Sequence, residues 1–169
     1  MYILGDIGNS ETKIYLVGSN NAIIKNISLP TNKINNKNLR LKFKSLTKSF
    51  FGIEKVLFCS VVPKSFKQIK KFLSNKTKNK CYEVKDLRLK SLIKIKVNYK
   101  QVGSDRITNA ISLVNEKDNF IILDLGTATT FDVVINKTYK GGIIAPGIKI
   151  SLNTLSDKAT LIPQINLKK

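Results

Sequence analysis

Two similar strings, LGDIGNSETK at 4–13 and LDLGTATTFD at 123–132, most constrain how this chain can fold. Each follows an apolar run and contains an Asp, an apolar residue, a Gly, a small hydrogen-bonding residue and a later Thr. The matching pairs are Asp6 and Asp124, Gly8 and Gly126, Asn9 and Thr127, and Thr12 and Thr130. One such string is explained equally well by a structural β-turn. Two in the same register indicate a duplicated strand–turn–strand unit.

The residue types in this turn are typical of an anion site. Glycine after a strand-end Asp lets the chain reverse with its amides exposed and lets a bulky anion approach closely. Successive N–H groups of this kind form an anion-binding concavity, and Asn, Ser or Thr adds further donors. The Asp would hold a cation or a water, because a bare carboxylate next to phosphate is repelled. Two facing turns predict a cleft that binds a nucleotide's polyphosphate from both sides.

Apolar runs and turn formers predict an α/β fold of two related halves, each containing three successive strands. We place the boundary so that residues 1–102 and 103–169 form the two domains. Asp132, next to Phe131 in a predicted strand, is assigned a structural role. In chain order, the predicted elements are strands at 1–6, 12–17 and 22–29, a helix within 32–48, a strand at 56–62, a helix at 65–75 behind a Ser65 N-cap, strands at 82–84 and 93–97, a helix at 104–115, strands at 120–125 and 130–135, a turn at 136–140 leading to GGIIAPG, and a helix at 148–155.

Composition indicates a soluble, cytoplasmic protein with reduced thiols. The chain has 169 residues, is 42% hydrophobic and contains two Cys and no His. No stretch approaches the roughly 20 consecutive apolar residues of a membrane span, and the N-terminus lacks a signal-peptide pattern. Cys59 and Cys81 without any His cannot form a common structural zinc site, and a disulfide is not expected in the cytosol.

The formal charge of +19 suggests nucleic-acid binding at first sight. However, only three of the 30 basic residues are Arg, and the Lys are dispersed among Asn and Ile. Proteins that recognise bases or bind phosphate through bidentate hydrogen bonds use Arg more than Lys for these contacts. In addition, the sequence contains no basic motif interleaved with aromatic residues, as RNA-binding proteins have. We interpret the positive charge as a compositional bias toward Lys on solvent-exposed faces, with nucleic-acid binding as the minority interpretation.

Four strings in order, DIGNSETK, VGSDR, LDLGTATTFD and GGIIAPG, resemble the motifs of the type III pantothenate kinase family. This family lies in the actin-like ATPase and sugar kinase superfamily. The resemblance implies two RNase H-like halves with mixed sheets and ATP-dependent phosphorylation of pantothenate, the first step toward coenzyme A. It also implies a homodimer, a monovalent cation (K⁺ or NH₄⁺) and Mg²⁺ accompanying ATP.

Roles for single residues follow from the same resemblance. Asp105 is implied to be the catalytic base and Asp124 to coordinate the monovalent cation, while Tyr99 is a further substrate contact. The pantothenate-binding GxDR motif corresponds to Gly103, Ser104, Asp105 and Arg106. The residues implied to contact ATP are Asp6, Ile7, Gly8, Asn9, Ser10, Glu11, Thr12, Lys13 and Thr127.

The chemistry agrees with these roles, although simpler explanations stay open. Without His, the base must be a carboxylate, a Lys or a Tyr, and a loose phosphoryl-transfer transition state asks little of it beyond orienting the hydroxyl. Arg106 can hold the pantothenate carboxylate bidentately. Alternatively, Ser104 and Asp105 form an ordinary helix N-cap, and Arg106 is a solvated charge.

Two departures from the family pattern keep other functions open. VNYKQVGSDR lacks the Asn-Pro segment that precedes GxDR in the family, and the chain stops at TLIPQINLKK, where the family continues. We therefore expect the C-terminal part of the second half to be missing, leaving an apolar face of its sheet uncovered. The alternatives are a non-catalytic regulatory homologue that binds nucleic acid or protein, and a kinase for another small hydroxylated substrate.

Overall fold

The computed structural model describes residues 1–115, 118–163 and 165. Its contacts divide the chain into two compact units. Unit 1 comprises Met1–Leu89 and Gly103–Thr108, and unit 2 comprises Lys90–Val102 and Asn109–Lys169. Each unit thus contains a short segment from the other side of the expected boundary between residues 102 and 103. That boundary stays a prediction about the two sequence halves.

Unit 1 is built on a five-stranded mixed sheet in the order β3-β2-β1-β4-β5. The predicted meander of three antiparallel strands is confirmed, with β4 parallel to β1 and β5 parallel to β4. Parallel strands end at the same edge of a sheet, so the carboxyl ends of β1, β4 and β5 lie along one edge. The strands are β1 (Tyr2–Ile7), β2 (Glu11–Val17), β3 (Ile23–Pro30), β4 (Lys55–Ser60) and β5 (Cys81–Glu83).

The helices of unit 1 follow β3 and β4. The helix predicted within 32–48 is confirmed: α1 (Asn36–Phe43) begins after the N-cap Asn35 and leads into a 3-10 helix, Lys44–Gly52. The predicted Ser65 N-cap is wrong, because α2 (Pro63–Ser74) begins with proline at its first turn, where no backbone N–H is required.

The core of unit 1 lies on one face of its sheet. Ile3, Ile7 and Phe58 pack there with apolar residues of the two helices and of the 3-10 helix. The Phe58 ring occupies the space that a side chain at Gly5 would need. A glycine is therefore required at position 5 for the aromatic ring to cover β1.

Unit 2 contains a four-stranded mixed sheet in the order β6-β9-β8-β7. Its helix α4 follows β9, while α3 contributes its residues through Thr108 to unit 1 and the rest to unit 2. Within the described ranges, no helix is long and apolar enough to cross a membrane. The elements are β6 (Lys94–Ile95), α3 (Ser104–Ser112), β7 (Phe120–Leu125), β8 (Ala128–Ile135), β9 (Thr138–Pro146) and α4 (Ile148–Lys158).

The two faces of the unit 2 sheet differ. On one face Tyr139 donates a hydrogen bond of 2.5 Å from its hydroxyl to Oδ1 of fully buried Asp132, in agreement with a structural role for that carboxyl. The register places Leu123, Phe131 and Ile143 side by side on the other face. The expected uncovered apolar face is therefore present. Its exposed large side chains are Ile121, Leu123, Leu125, Phe131 and Ile143.

Candidate active site

The first repeated turn joins β1 to β2 in unit 1. The Gly8 N–H donates to the Glu11 carbonyl at 3.0 Å, which closes the turn. Thr31, directly after β3, donates its N–H to the Ser10 carbonyl at 3.0 Å and its hydroxyl to the Gly8 carbonyl at 2.7 Å. These carbonyls are therefore held on the Thr31 side of the turn. Asn9 and Ser10 are exposed at its tip, and this arrangement fits an anion such as phosphate.

The side chains that flank this turn point in different directions. Asp6, at the end of β1, is exposed and pairs in register with Lys13 of β2. The Lys13 Nζ lies 3.7 Å from a Glu11 carboxylate oxygen, and both side chains are about half exposed. In contrast, Ile7 and Thr12 are fully buried. Neither residue is exposed, and their roles as ATP contacts stay predictions.

The GxDR residues begin helix α3 in unit 1. Ser104 is 2% exposed, and its hydroxyl donates to the Ser60 carbonyl at 3.0 Å, anchoring the helix start to the end of β4. The Arg106 N–H donates to Asp105 Oδ1 at 2.8 Å. A side chain at Gly103 would collide with that same oxygen, so the glycine leaves room for the Asp105 carboxylate.

Two carboxylates predicted for different tasks belong to segments that meet the end of β4. Asp6 pairs in register with Cys59, and Ser104, next to Asp105, donates its hydroxyl to the Ser60 carbonyl. Burial raises the pKa of the Cys59 thiol to about 12, against a smaller opposing effect of a hydrogen bond with Thr108. The negative charges of Asp6, Asp105 and Glu83 raise that pKa further. Asp6 belongs to the phosphate motif and Asp105 to GxDR. The fold of unit 1 therefore brings the predicted phosphate turn and the predicted base to one edge of its sheet.

The second repeated turn joins β7 to β8 in unit 2. The Gly126 N–H donates to the Ala128 carbonyl at 3.0 Å, and the Gly147 N–H donates to the Thr127 carbonyl at 3.1 Å. Thr127 itself is exposed. Asp124 is also exposed, and its Oδ2 accepts a hydrogen bond of 3.2 Å from the Asn109 side chain. The turn thus presents a carboxylate oxygen and a threonine within unit 2.

Tyr99 lies in unit 2, in a turn closed by a 3.0 Å hydrogen bond from the Gln101 N–H to the Asn98 carbonyl. It is half-buried. Tyr99 is thus assigned by contacts to a different unit from the GxDR residues, and its role as a substrate contact stays a prediction.

Sequence reasoning missed several residues that hold the site. Thr31 braces the first turn, Ser60 accepts the anchoring bond from α3, and Asn109 holds Asp124. Glu83 pairs in register with Phe58 because β5 runs parallel to β4, and its negative charge raises the pKa of the neighbouring Cys59. Among the described residues, no group of three or more Cys, Asp or Glu could hold a metal ion. A cation bound there would therefore need ligands from phosphate or water as well.

Comparisons with known sequences point to one family. A family model described as type III pantothenate kinase matches residues 2–169. A type III pantothenate kinase of Pelagibacter ubique is 62% identical over 169 residues, covering 100% of this chain and 68% of that protein. A type III pantothenate kinase of a Sulfurihydrogenibium species is 33% identical, covering 100% of this chain and 69% of its own length. The chain thus spans about two thirds of the length of these curated relatives.

Comparisons with solved structures agree on the fold. A Campylobacter jejuni protein described as a Baf family transcriptional activator aligns with 99% of this chain and 66% of its own length, with a TM-score of 0.51 and 21% identity. A Sinorhizobium meliloti protein described as a 2-dehydro-3-deoxygalactonokinase aligns with 95% of this chain and 58% of its own, with a TM-score of 0.51 and 7% identity. At these identities the likeness concerns the fold alone. The predicted α/β fold with two mixed sheets is confirmed.

Proposed function

The chain belongs to the type III pantothenate kinase family, a family of phosphotransferases, and we propose that it phosphorylates pantothenate with ATP in the first step toward coenzyme A. The observation that carries this proposal is that unit 1 brings both motifs to the end of β4: Asp6 pairs in register with Cys59, and Ser104, next to Asp105, bonds to the Ser60 carbonyl. A kinase needs its phosphate site and its base at the same place, since the acceptor hydroxyl must lie in line with the transferred phosphorus.

Asp105 is the proposed base. It orients the pantothenate hydroxyl and takes its proton while the hydroxyl oxygen forms a bond to the γ-phosphorus of ATP. The bond between that phosphorus and the β,γ-bridging oxygen breaks, and ADP leaves. Arg106, next in the chain, binds the pantothenate carboxylate through its guanidinium fork. Gly103 supports this assignment, because the missing side chain leaves space for the Asp105 oxygen that faces it.

The ATP phosphates are the proposed ligands of the two repeated turns. Asn9 and Ser10 supply exposed donors in unit 1, with Lys13 as a countercharge, and Thr127 supplies a contact in unit 2. Mg²⁺ entering with ATP would neutralise phosphate charge. Asp124, held by Asn109, would ligate K⁺ or NH₄⁺ through its carboxylate. Thr12 is fully buried in β2, so its proposed contribution is to support the turn through its hydrogen bond with Thr31.

The protein is further proposed to act as a homodimer in the cytoplasm. The support for self-association is the exposed apolar face of the unit 2 sheet, since contiguous apolar patches of this kind mark interaction sites. Sedimentation equilibrium of the wild type and of Leu123→Lys tests it. A dimer that the Lys substitution weakens is expected, and a wild-type monomer at micromolar concentration would contradict it.

The test of the activity is a coupled assay of ADP release with pantothenate, ATP, Mg²⁺ and K⁺. We expect turnover by the wild type and its loss in Asp105→Asn, because an amide cannot take the proton. Asp86→Asn, at an exposed position of unit 1, is the matched control and should keep full activity. Equal activity of Asp105→Asn and wild type would refute Asp105 as the base. Turnover with another hydroxylated acid but not with pantothenate would refute the substrate.

A further inference from the structure

We infer that Thr31 is a positioning residue for the phosphate turn of unit 1, an inference that rests on the proposed function of that turn. Thr31 is 5% exposed and lies directly after β3, in no motif that the sequence identifies. Its backbone N–H donates to the Ser10 carbonyl at 3.0 Å, and its hydroxyl donates to the Gly8 carbonyl at 2.7 Å. One residue therefore holds the carbonyls on both sides of Asn9.

The buried hydroxyls at this point form a directed chain. The Thr31 hydroxyl carries a single hydrogen, and the Gly8 carbonyl can only accept. The contact of 2.9 Å between Thr31 Oγ1 and Thr12 Oγ1 must then have Thr12 as its donor. The order is Thr12 hydroxyl to Thr31 hydroxyl to Gly8 carbonyl. Because Thr12 is fully buried, water does not compete for these bonds, and each bond polarises the next.

This chain of hydrogen bonds fixes the direction of the next amide. In a trans peptide the C=O and the following N–H point to opposite sides, and no cis peptide occurs in the described part of the chain. Holding the Gly8 carbonyl toward Thr31 therefore directs the Asn9 N–H away from Thr31. A donor fixed before the ligand arrives binds phosphate without a cost of reorganisation.

The same backbone brace occurs in unit 2, which supports a role in holding the turn. In each unit a Pro ends the third strand of the meander, and the next residue donates its N–H to the turn. In unit 1 the Gly8 N–H bonds the Glu11 carbonyl, and Thr31 donates to the carbonyl of the residue before it, Ser10. In unit 2 the Gly126 N–H bonds the Ala128 carbonyl, and Gly147 donates to the carbonyl of the residue before it, Thr127. The hydroxyl part differs. Gly147 has no side chain, and the buried Thr130 Oγ1, the counterpart of Thr12, has no hydrogen-bond partner among the described residues.

The experiment compares Thr31→Val, which removes only the hydroxyl, with Thr31→Ser, which keeps it. Leu29→Val, at a buried position of β3, is the control for a general loss of stability. We expect Thr31→Val to raise the KM for ATP by about 3- to 10-fold, the effect of one net hydrogen bond, with the KM for pantothenate unchanged. Thr31→Ser should restore the wild-type KM, and Leu29→Val should change neither KM.

A second measurement, on the ligand-free protein, does not depend on activity. Hydrogen exchange at the Gly8 amide, which donates to Glu11 across the turn, should be several-fold faster in Thr31→Val than in wild type or Thr31→Ser. If the wild type turns over but Thr31→Val changes neither the KM for ATP nor this exchange rate, the positioning role is overturned. If the wild type does not bind ATP, the proposed function fails, and the exchange rates still decide whether Thr31 holds the turn.

Discussion

Replacing Gly147 with Ala should displace the second phosphate turn without straining the backbone at position 147. Gly147 has φ −65° and ψ 160°, a conformation that alanine adopts freely. Its added Cβ, however, would lie 2.5 Å from the Thr127 carbonyl oxygen and 2.8 Å from the carbonyl carbon, and would also collide with the Gly126 carbonyl. These are backbone atoms, so no side-chain rotation relieves the contact. The turn itself has to move.

The size of the effect follows from that contact. Relieving it requires a shift of roughly 1 Å in the turn, and overpacking of this kind typically costs about 1–3 kcal/mol. For a chain of this size the melting temperature should fall by about 2–4 °C for each kcal/mol. A misplacement of about 1 Å in a binding element can lower catalytic efficiency by up to about 100-fold. We therefore expect the KM for ATP to rise at least about 10-fold, with a smaller change in the KM for pantothenate.

The assay is steady-state kinetics with each substrate varied in turn, together with thermal unfolding. Gly52→Ala is the matched control, because its added Cβ meets only the flexible Met1 Cε, at 2.7 Å. That variant should keep both KM values. A folded Gly147→Ala protein with an unchanged KM for ATP would show that the turn at Thr127 does not contribute to ATP binding.

Three further predictions concern other parts of the molecule. Ser104→Ala removes the hydrogen bond that anchors α3 to the end of β4, so kcat in the coupled assay should fall about 10-fold. Ser104→Thr, which keeps a hydroxyl, should retain part of the wild-type kcat. Tyr139→Phe removes a donor from the buried Asp132 carboxyl and should lower stability by about 2 kcal/mol in urea unfolding, whereas an unchanged midpoint would contradict that bond. Burial raises the pKa of the Cys59 thiol to about 12 and that of Cys81 to about 11. Because only the thiolate is nucleophilic, both should resist Ellman's reagent at pH 8 in the folded protein and react in guanidinium; rapid reaction of the native protein would contradict their burial.

Local pattern was sufficient to predict the meander of unit 1. Alternating apolar residues, with turn formers at Gly8 and Gly18, fix strand length and register within a few residues of the chain. Local pattern alone did not predict strand β9, because Gly141, Gly142 and Pro146 are residues typical of a turn. In the structure Gly141 has φ 102° and lies where the pairing of β8 with β9 shifts register, between Val133 and Val134. The strand therefore continues through the glycine with a local irregularity.

Site residues divide in the same way. Asp105 could be nominated from the sequence, because the string VGSDR resembles the GxDR motif of a known family, and that resemblance implies the role of base. Thr31 could not, since its role depends on a hydrogen bond to Gly8 that the folded hairpins create. The position of Glu83 beside Phe58 likewise depends on parallel pairing of β4 with β5, which connects segments separated by a helix. Contacts of this kind are set by topology.

Pantothenate phosphorylation by this chain is tested by mass spectrometry of the products after the purified protein is incubated with pantothenate, ATP, Mg²⁺ and K⁺. We expect 4′-phosphopantothenate in amounts that match the ADP formed, and neither product with Asp105→Asn. If the folded wild-type protein releases no phosphopantothenate under these conditions, the assignment of Asp105 and the two repeated turns to phosphoryl transfer is contradicted.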